Sequence, residues 1–405
     1  MAGRRALRLR RELVEKLRAK GAIGSDAEEA AFLAVPRERF VPDVVADRGL
    51  EAVYRDEAIV TKRDPRGMPL SSSSQPALMA KMLGLLAPDP GDRVLEIGTG
   101  TGYNAALLAH MVGPKGRVTT VDVDPDLARA ARRALREAGY RTSVKVGDGR
   151  HGFANGAPFD RIVVTACADE IPRFWLEQLR DGGRLELPLR LDPDGAAIQL
   201  IPVLERHGDR LVSVGLTWGG FMPLHGGDGG WRPPPAMLGA SRSVKGKPSS
   251  LISISGAGLE QLSADAAREL LASTLAKRNR PRRQGMTDLS SARPPLMLIY
   301  LLLRIPATRR VSLSQDERLG IGIVDRPSRS LAIVSLRSPW NSDIDTPDRR
   351  VRWRLDAYGN DTAAVELDQL LSEWQRLRHE HRTRLEVIAQ GHADPLRLSF
   401  AWSPT

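Results

Sequence analysis

The stretch Val94-Leu-Glu-Ile-Gly-Thr-Gly-Thr-Gly-Tyr103 decides the fold. Arg93–Ile97 reads as a short buried strand, and Tyr103–Val112 keeps helical spacing of its apolar residues. Between them, Gly98, Gly100 and Gly102 let the backbone turn tightly and approach a ligand closely. The spacing is Gly-x-Gly-x-Gly behind an acid, Glu96. A dinucleotide fingerprint would place its third glycine where Tyr103 stands, so a nicotinamide dinucleotide is not expected. Taken alone, the turn also fits an ordinary strand-to-helix loop.

The neighbouring segments extend the pattern. Arg117–Val121, Ser143–Val146, Arg161–Thr165 and Gly183–Leu187 read as strands, and Pro125–Ala138 and Pro172–Leu179 as helices. Such alternation argues a mainly parallel sheet covered on both faces. The second strand runs into Asp122, where a carboxylate can accept two hydrogen bonds from a ribose diol. The third ends in Gly147-Asp-Gly149, which places Asp148 to accept from the exocyclic amine of adenine. Three successive strand ends thus offer contacts to an amino acid, a ribose and a base, the pattern of S-adenosylmethionine enzymes. The expected cofactor set is Glu96, Gly98, Thr99, Gly100, Thr101, Gly102, Tyr103, Asp122, Val123, Asp148 and Gly149.

Upstream, Arg11–Arg18 and Asp26–Val35 read as amphipathic helices, the second capped by Ser25 or Asp26. Pro42–Ser74 reads as polar and irregular. Pro76–Leu86 reads as a helix with proline in its first turn. Downstream, His225–Ser250 is rich in glycine, proline and serine. The expected organisation is therefore a catalytic domain over 1–225, a linker over 226–250 and a second domain over 251–405. In that second domain, Leu296–Leu303 and Leu331–Leu336 read as strands, Thr362–His379 as a helix, and Leu385–Ile388 and Leu396–Trp402 as closing strands. The fold class is α/β: a Rossmann-like sheet with N-terminal helices, plus a smaller C-terminal α/β domain.

The 405 residues carry a net charge of +11, which attracts anionic partners such as nucleic acid, anionic lipid or an acidic peptide. The single cysteine excludes an internal disulfide framework and points to a reducing cytoplasm. Met1–Lys20 has no apolar core and does not read as a secretory signal. Leu296–Leu303, the longest apolar run, falls short of the roughly 20 residues a membrane helix needs. No metal spacing is recognisable among the histidines and the cysteine.

Several ordered segments resemble the protein-L-isoaspartate O-methyltransferases. They are Val35-Pro-Arg-Glu-Arg-Phe-Val-Pro42, Ser74-Gln-Pro76, Leu95–Tyr103, Gly147-Asp-Gly-Arg150, Val164-Thr-Ala-Cys-Ala-Asp-Glu-Ile-Pro172, Leu179–Leu185 and Phe221-Met-Pro-Leu224. The resemblance implies a class I S-adenosylmethionine-dependent methyltransferase that esterifies the carboxylate of an isoaspartyl residue. It places Ser74 at the family's active-site serine. It also implies substrate contacts from backbone groups around Thr165 and Ala166; the expected substrate set adds Ser72, Ser73 and Gln75 beside Ser74, where extra hydroxyls suit a carboxylate or peptide backbone and equally a flexible serine-rich loop.

Two departures bear on the substrate. The long charged segment Tyr54–Leu70 leads into four serines, Ser71 to Ser74, and the C-terminal half has no counterpart in minimal repair enzymes. Both are similar to methyltransferases of ribosomally synthesised peptide maturation, the lanthipeptide and graspetide type. Those act on an aspartate of a cyclised precursor, and the ester collapses to aspartimide. The expectation is an acidic, cyclised precursor peptide, with isoaspartyl protein repair as the alternative. Lys277–Arg283 is the densest basic patch, and Trp340, Trp353, Trp374 and Trp402 are candidates for a peptide groove or for core packing. RNA methylation is not expected, because the Asn/Asp-Pro-Pro-aromatic loop of base methylation is absent. A peptide-binding scaffold with a decayed catalytic half is opposed by the intact glycines and acids.

Overall fold

The computed structural model describes residues 2–65, 67, 69–191, 199–226, 238–240, 252–255, 283–288, 296–315, 318–337, 350–380 and 383–404. The chain divides into two compact units. The first comprises Met1–Leu189, Gln199–Trp231 and Glu386–Ala401; the second comprises Arg190–Ile198, Arg232–Leu385 and Trp402–Thr405. The sequence reading places all of 251–405 in the second domain, whereas residues 386–401 cluster with the first.

The first unit begins with helices α1 (Ala2–Ala19), α2 (Asp26–Ala34) and α3 (Pro42–Val53). Ser25 caps α2 by accepting from Glu28 N at 3.3 Å. The Pro42–Ser74 stretch, read as irregular, holds α3 and an antiparallel hairpin of β1 (Ile59–Arg63) and β2 (Pro69–Ser73). Its polar pattern hid the hairpin because one face of β2 is serine rather than an apolar residue: Ser71 and Ser73 are buried, Ser72 half-buried.

Next come α4 (Pro76–Leu86), β3 (Arg93–Ile97), α5 (Tyr103–Val112), β4 (Arg117–Asp122), α6 (Pro125–Glu137), β5 (Thr142–Val146), β6 (Phe159–Val164), α7 (Arg173–Gln178), β7 (Leu179–Glu186), β8 (Leu189–Arg190), β9 (Gln199–His207) and β10 (Arg210–Gly219). Strands β7, β6, β3, β4 and β5 lie in that order and are parallel. Strand β9 joins antiparallel beside β7, and β10 beside β9. The N-terminal helices, α4 and α5 share one core on this sheet, including Leu17, Phe32, Leu83, Leu107 and Val163. The ends of β3, β4 and β6, and the loops that follow them, therefore gather on one edge, where ligands of such sheets sit.

In the second unit, β11 (Leu238–Ala240), β12 (Ile252–Ser255), β13 (Arg283–Asp288), β14 (Arg310–Gln315), β15 (Arg318–Asp325), β16 (Ser330–Arg337) and β17 (Arg350–Tyr358) form an antiparallel sheet ordered β11-β12-β14-β15-β16-β17-β13. Helices α8 (Leu296–Arg304) and α9 (Thr362–Glu380) pack on it. Leu296–Leu303 is thus helical, not a strand. Periodicity cannot separate a helix buried all round from a buried strand, and Met297 through Leu302 are all buried. Tyr300, Trp374 and Trp402 meet with ring centroids 5.4–5.8 Å apart, so of the two roles open to these tryptophans, Trp374 and Trp402 take packing. Trp353 is also buried, beneath the Arg283 guanidinium. Trp340 and most of Lys277–Arg283 lie outside the described residues.

Strands β18 (Thr383–Gln390) and β19 (Arg397–Pro404) close the chain, and within the first unit β18 extends the sheet beyond β10, with Leu211 opposite Ala389. No described helix is long and apolar enough to cross a membrane.

Candidate active site

The glycine loop leaves β3 with Gly98, Gly100 and Gly102 at φ values of +98°, +51° and +86°. Side chains other than glycine rarely adopt that region. Gly98 is further constrained by its neighbour: an added Cβ would lie 2.5 Å from Thr165 Oγ1. Thr165 N donates to Ile97 O at 2.8 Å, and Thr165 Oγ1 donates to Gly98 O at 2.6 Å. The end of β6 is thereby fastened to the glycine loop. From the other side, Ser71 Oγ and Ser72 O lie 3.6 Å from the Cβ position of Gly100. The serine strand and Thr165 therefore flank the same loop.

The acids behave differently from one another. Glu96 is fully buried and accepts from Asn104 Nδ2 at 2.8 Å and Thr120 Oγ1 at 2.6 Å. Burial raises its pKa to about 7, against those two hydrogen bonds. It ties β3 to β4 and to the first turn of α5. Asp122 accepts from Gly100 N at 2.9 Å through one oxygen and from Asp124 N at 3.0 Å through the other. A carboxylate has about four acceptor positions, more than these backbone donors fill. Burial pushes the Asp122 pKa up despite these bonds. Beside it, Val123 is 42% exposed, an apolar surface at the strand end. Burial works against ionisation of Asp148, but the side chain and backbone of Arg150 hold its carboxyl below the usual range. Both Asp148 oxygens are engaged by Arg150, at 2.6–3.1 Å, so an adenine amine would share them with this ion pair. Gly149 is held close beneath, where a Cβ would meet Ile97 Cγ2 at 2.3 Å.

Tyr103 turns inward. Its ring is buried against Phe32 and Phe40 with centroids 6.4 and 5.7 Å away, and Arg37 lies over its face. Thr99 is also buried, with its hydroxyl 2.7 Å from that of Thr120. Thr101 and Gly102 form the turn into α5, Gly102 at its N-cap. Gly98, Gly100, Thr101 and Val123 keep surface at this edge of the sheet, Asp122 lies buried just behind them, and Glu96, Thr99 and Tyr103 brace it from within.

On the substrate side, Ser72, Ser74, Gln75, Thr165 and Ala166 are half-buried, whereas Ser73 points into the core. Gln75 Nε2 donates to Asp56 O at 3.2 Å, anchoring the segment ahead of α4. Cys167 N donates to Met222 O and Leu224 N donates to Cys167 O, both at 2.8 Å. The Phe221–Leu224 motif thus lines the strand end that follows Thr165. Cys167 is buried and, as the single cysteine of the chain, forms no internal disulfide.

Two contributors had no role assigned from sequence. Arg37 is fully buried and reaches the serine strand. Lys62 pairs with Asp124, fastening β1 beside Asp122. Arg37 carries a signal in the Val35-Pro-Arg motif; Lys62 carries none, because the polar pattern of Pro42–Ser74 does not show the hairpin. A cleft of about 710 Å³ also opens on Gly100 and Thr101, bounded by α3, β1 and α6. None of Ser72–Ser74, Thr165 or Asp148 lines it, so it lies beside the strand-end site.

The residues present fit an S-adenosylmethionine. Three glycines expose bare backbone, Asp122 retains acceptor positions for a diol, and Val123 offers an apolar face. Fold and site together define a class I S-adenosylmethionine-dependent methyltransferase. The protein-L-isoaspartate(D-aspartate) O-methyltransferase family model matches residues 8–227, more than half the chain, and the chain belongs to this family. Among relatives, the Methanopyrus kandleri protein-L-isoaspartate O-methyltransferase is 40% identical over 235 residues, covering 55% of this chain and 93% of its own. The Staphylothermus marinus enzyme is 42% identical over 212 residues, covering 51% and 84%. A solved protein-L-isoaspartate O-methyltransferase structure aligns with 96% of this chain and 99% of its own, at 25% identity and a TM-score of 0.53. The protein is accordingly a protein carboxyl O-methyltransferase that uses S-adenosylmethionine.

Proposed function

We propose that this chain methylates the carboxylate of isoaspartyl residues in proteins and peptides, with Ser74 orienting the carboxylate. The observation that carries the reading is the convergence of the serine strand and Thr165 on the two sides of the glycine loop. A carboxylate is ionised at neutral pH and needs no general base. S-adenosylmethionine, when bound, supplies a methyl group already activated as a sulfonium. What the protein adds is alignment, worth up to about 7–11 kcal/mol in favourable cases. The Ser74 hydroxyl would donate to one carboxylate oxygen and leave the other to attack. Backbone groups around Thr165 and Ala166, just before the point where Cys167 pairs with Met222 and Leu224, would hold the peptide main chain. The single, buried Cys167 suits a reducing cytoplasm.

A second reading, a dedicated aspartate in a cyclised acidic precursor peptide with collapse to aspartimide, is favoured by the run Ser71–Ser74 and the length of chain beyond residue 227. The likeness of a solved isoaspartate methyltransferase to nearly the whole chain reduces the weight of the added unit in that argument. Methyl transfer to a panel of unrelated linear isoaspartyl peptides separates the two. Turnover across the panel supports the general substrate. Failure on every linear isoaspartyl peptide, with methylation of an aspartyl precursor, would overturn it.

A further inference from the structure

Arg37 is a completely buried cation whose hydrogen-bond acceptors are main-chain carbonyls and one hydroxyl. On one side, Nη1 donates to Val53 O at 2.9 Å and Arg55 O at 3.3 Å, and Nη2 donates to Glu57 O at 3.2 Å. On the other, Nη2 donates to Ser74 O at 2.9 Å and Ser73 O at 3.4 Å, and Nε donates to Ser73 Oγ at 3.4 Å. One rigid fork therefore joins the chain leaving α3 to the end of the serine strand. Burial lowers the Arg37 pKa, with Asp56, Tyr54 and Tyr103 favouring the cation from nearby. A guanidinium still stays protonated in proteins. Holding the Ser73 and Ser74 carbonyls fixes two successive peptide planes, and with them the direction in which Ser74 leaves the backbone. Only a planar group with donors on three nitrogens reaches all these oxygens at once; a lysine ammonium is a single point with flexible reach.

We propose that Arg37 is a positioning residue for methyl transfer, setting the Ser74 hydroxyl through the Ser73 hydroxyl together with the Ser73 and Ser74 carbonyls. This rests on the reading of Ser74 as the group that orients the carboxylate. A misplacement of about 1 Å can cost about 100-fold in rate.

The test compares Arg37→Lys, Arg37→Ala and Ser74→Ala in the full chain, using an isoaspartyl peptide and S-adenosylmethionine. Arg37→Lys is expected to bind S-adenosylmethionine within about twofold of wild type by calorimetry, while kcat falls about tenfold or more. Methylguanidinium should restore part of the Arg37→Ala rate where methylammonium does not. A purely structural role would lower the melting temperature, leave kcat per folded molecule unchanged and show no guanidinium-specific rescue; that result overturns the proposal. A slow Ser74→Ala beside an unimpaired Arg37→Lys would overturn the Arg37 role alone. An unimpaired Ser74→Ala would overturn the Ser74 reading and this one with it. Should neither Arg37 variant fold, Ser73→Ala removes only the hydroxyl acceptor of the fork. A drop in its kcat at unchanged cofactor affinity supports the proposal, and an unchanged kcat overturns it.

Discussion

Thr165 Oγ1 sits 2.6 Å from the carbonyl of Gly98, so the end of β6 and the start of the glycine loop move as one piece. An alanine at position 98 would need both a left-handed backbone and the space that Thr165 occupies. Strain of this kind costs about 1–3 kcal/mol. Gly98→Ala is therefore expected to weaken S-adenosylmethionine binding by about tenfold or more, read by calorimetry. Thr165→Val should lower affinity by a smaller factor, since it removes a hydrogen bond without forcing the backbone. Equal affinity of Gly98→Ala and wild type would refute this account.

Glu96 carries a pH signature. Its pKa is near 7 in the folded chain, against 4.5 for an ordinary solvated glutamate such as the unfolded chain presents. The folded state thus holds a proton that the unfolded state has released. Stability from the neutral carboxyl is complete below pH 4.5 and is lost as pH rises through 7, an effect of about 3 kcal/mol at most. Without cofactor, the wild-type melting temperature should fall more between about pH 5 and pH 8 than that of Glu96→Gln. The amide cannot ionise: its oxygen can still accept from Thr120 Oγ1, and its NH2 can donate to the Asn104 side-chain oxygen once that amide turns over. Parallel melting curves for the two proteins would count against this.

Residues 386–401 complete the first unit's sheet. Gln390, Ala389 and Ile388 pair with Arg210, Leu211 and Val212; Val387 N donates to Ser213 Oγ; Leu396 N donates to Ile171 O. A chain ending at residue 231 exposes the edge of β10. Unpaired edges template association. Such a truncation is expected to melt several degrees lower and to self-associate on size-exclusion chromatography. A monomer as stable as the full chain would contradict it.

The Lys62–Asp124 pair ties β1 to the turn after Asp122. The hydrogen bond with Asp124 raises the Lys62 pKa, so the pair stays charged at neutral pH. A partly exposed ion pair is worth about 0–1 kcal/mol. Lys62→Ala should weaken S-adenosylmethionine binding by no more than about fivefold, and added salt should narrow the gap to wild type. A salt-independent loss would point to another cause.

The sheet of the first unit was legible from β3 through β7 because its strands are short runs set apart by turns and by helices with regular apolar spacing. The β1–β2 hairpin was not, since serines on its buried face satisfy themselves through Arg37 and Thr61 rather than by apolar packing. Helix α8 was misread for the opposite reason: a segment buried all round has no periodic face. The candidate site was legible as a set of residue types. The inward turn of Tyr103 and the engagement of Asp148 by Arg150 were not, because both depend on partners that are close only after folding.

Sequence alone determined the glycine spacing, the acids at the strand ends and the serine before Pro76. These are local: backbone freedom and strand ends are properties of a few adjacent residues. Only the tertiary structure decided that Glu96 braces rather than faces outward, that Arg37 holds Ser74 from beneath, and that residues 386–401 return to the first unit. Each of those needs segments distant in the chain to meet, and no pattern within one segment records which partner will be found there.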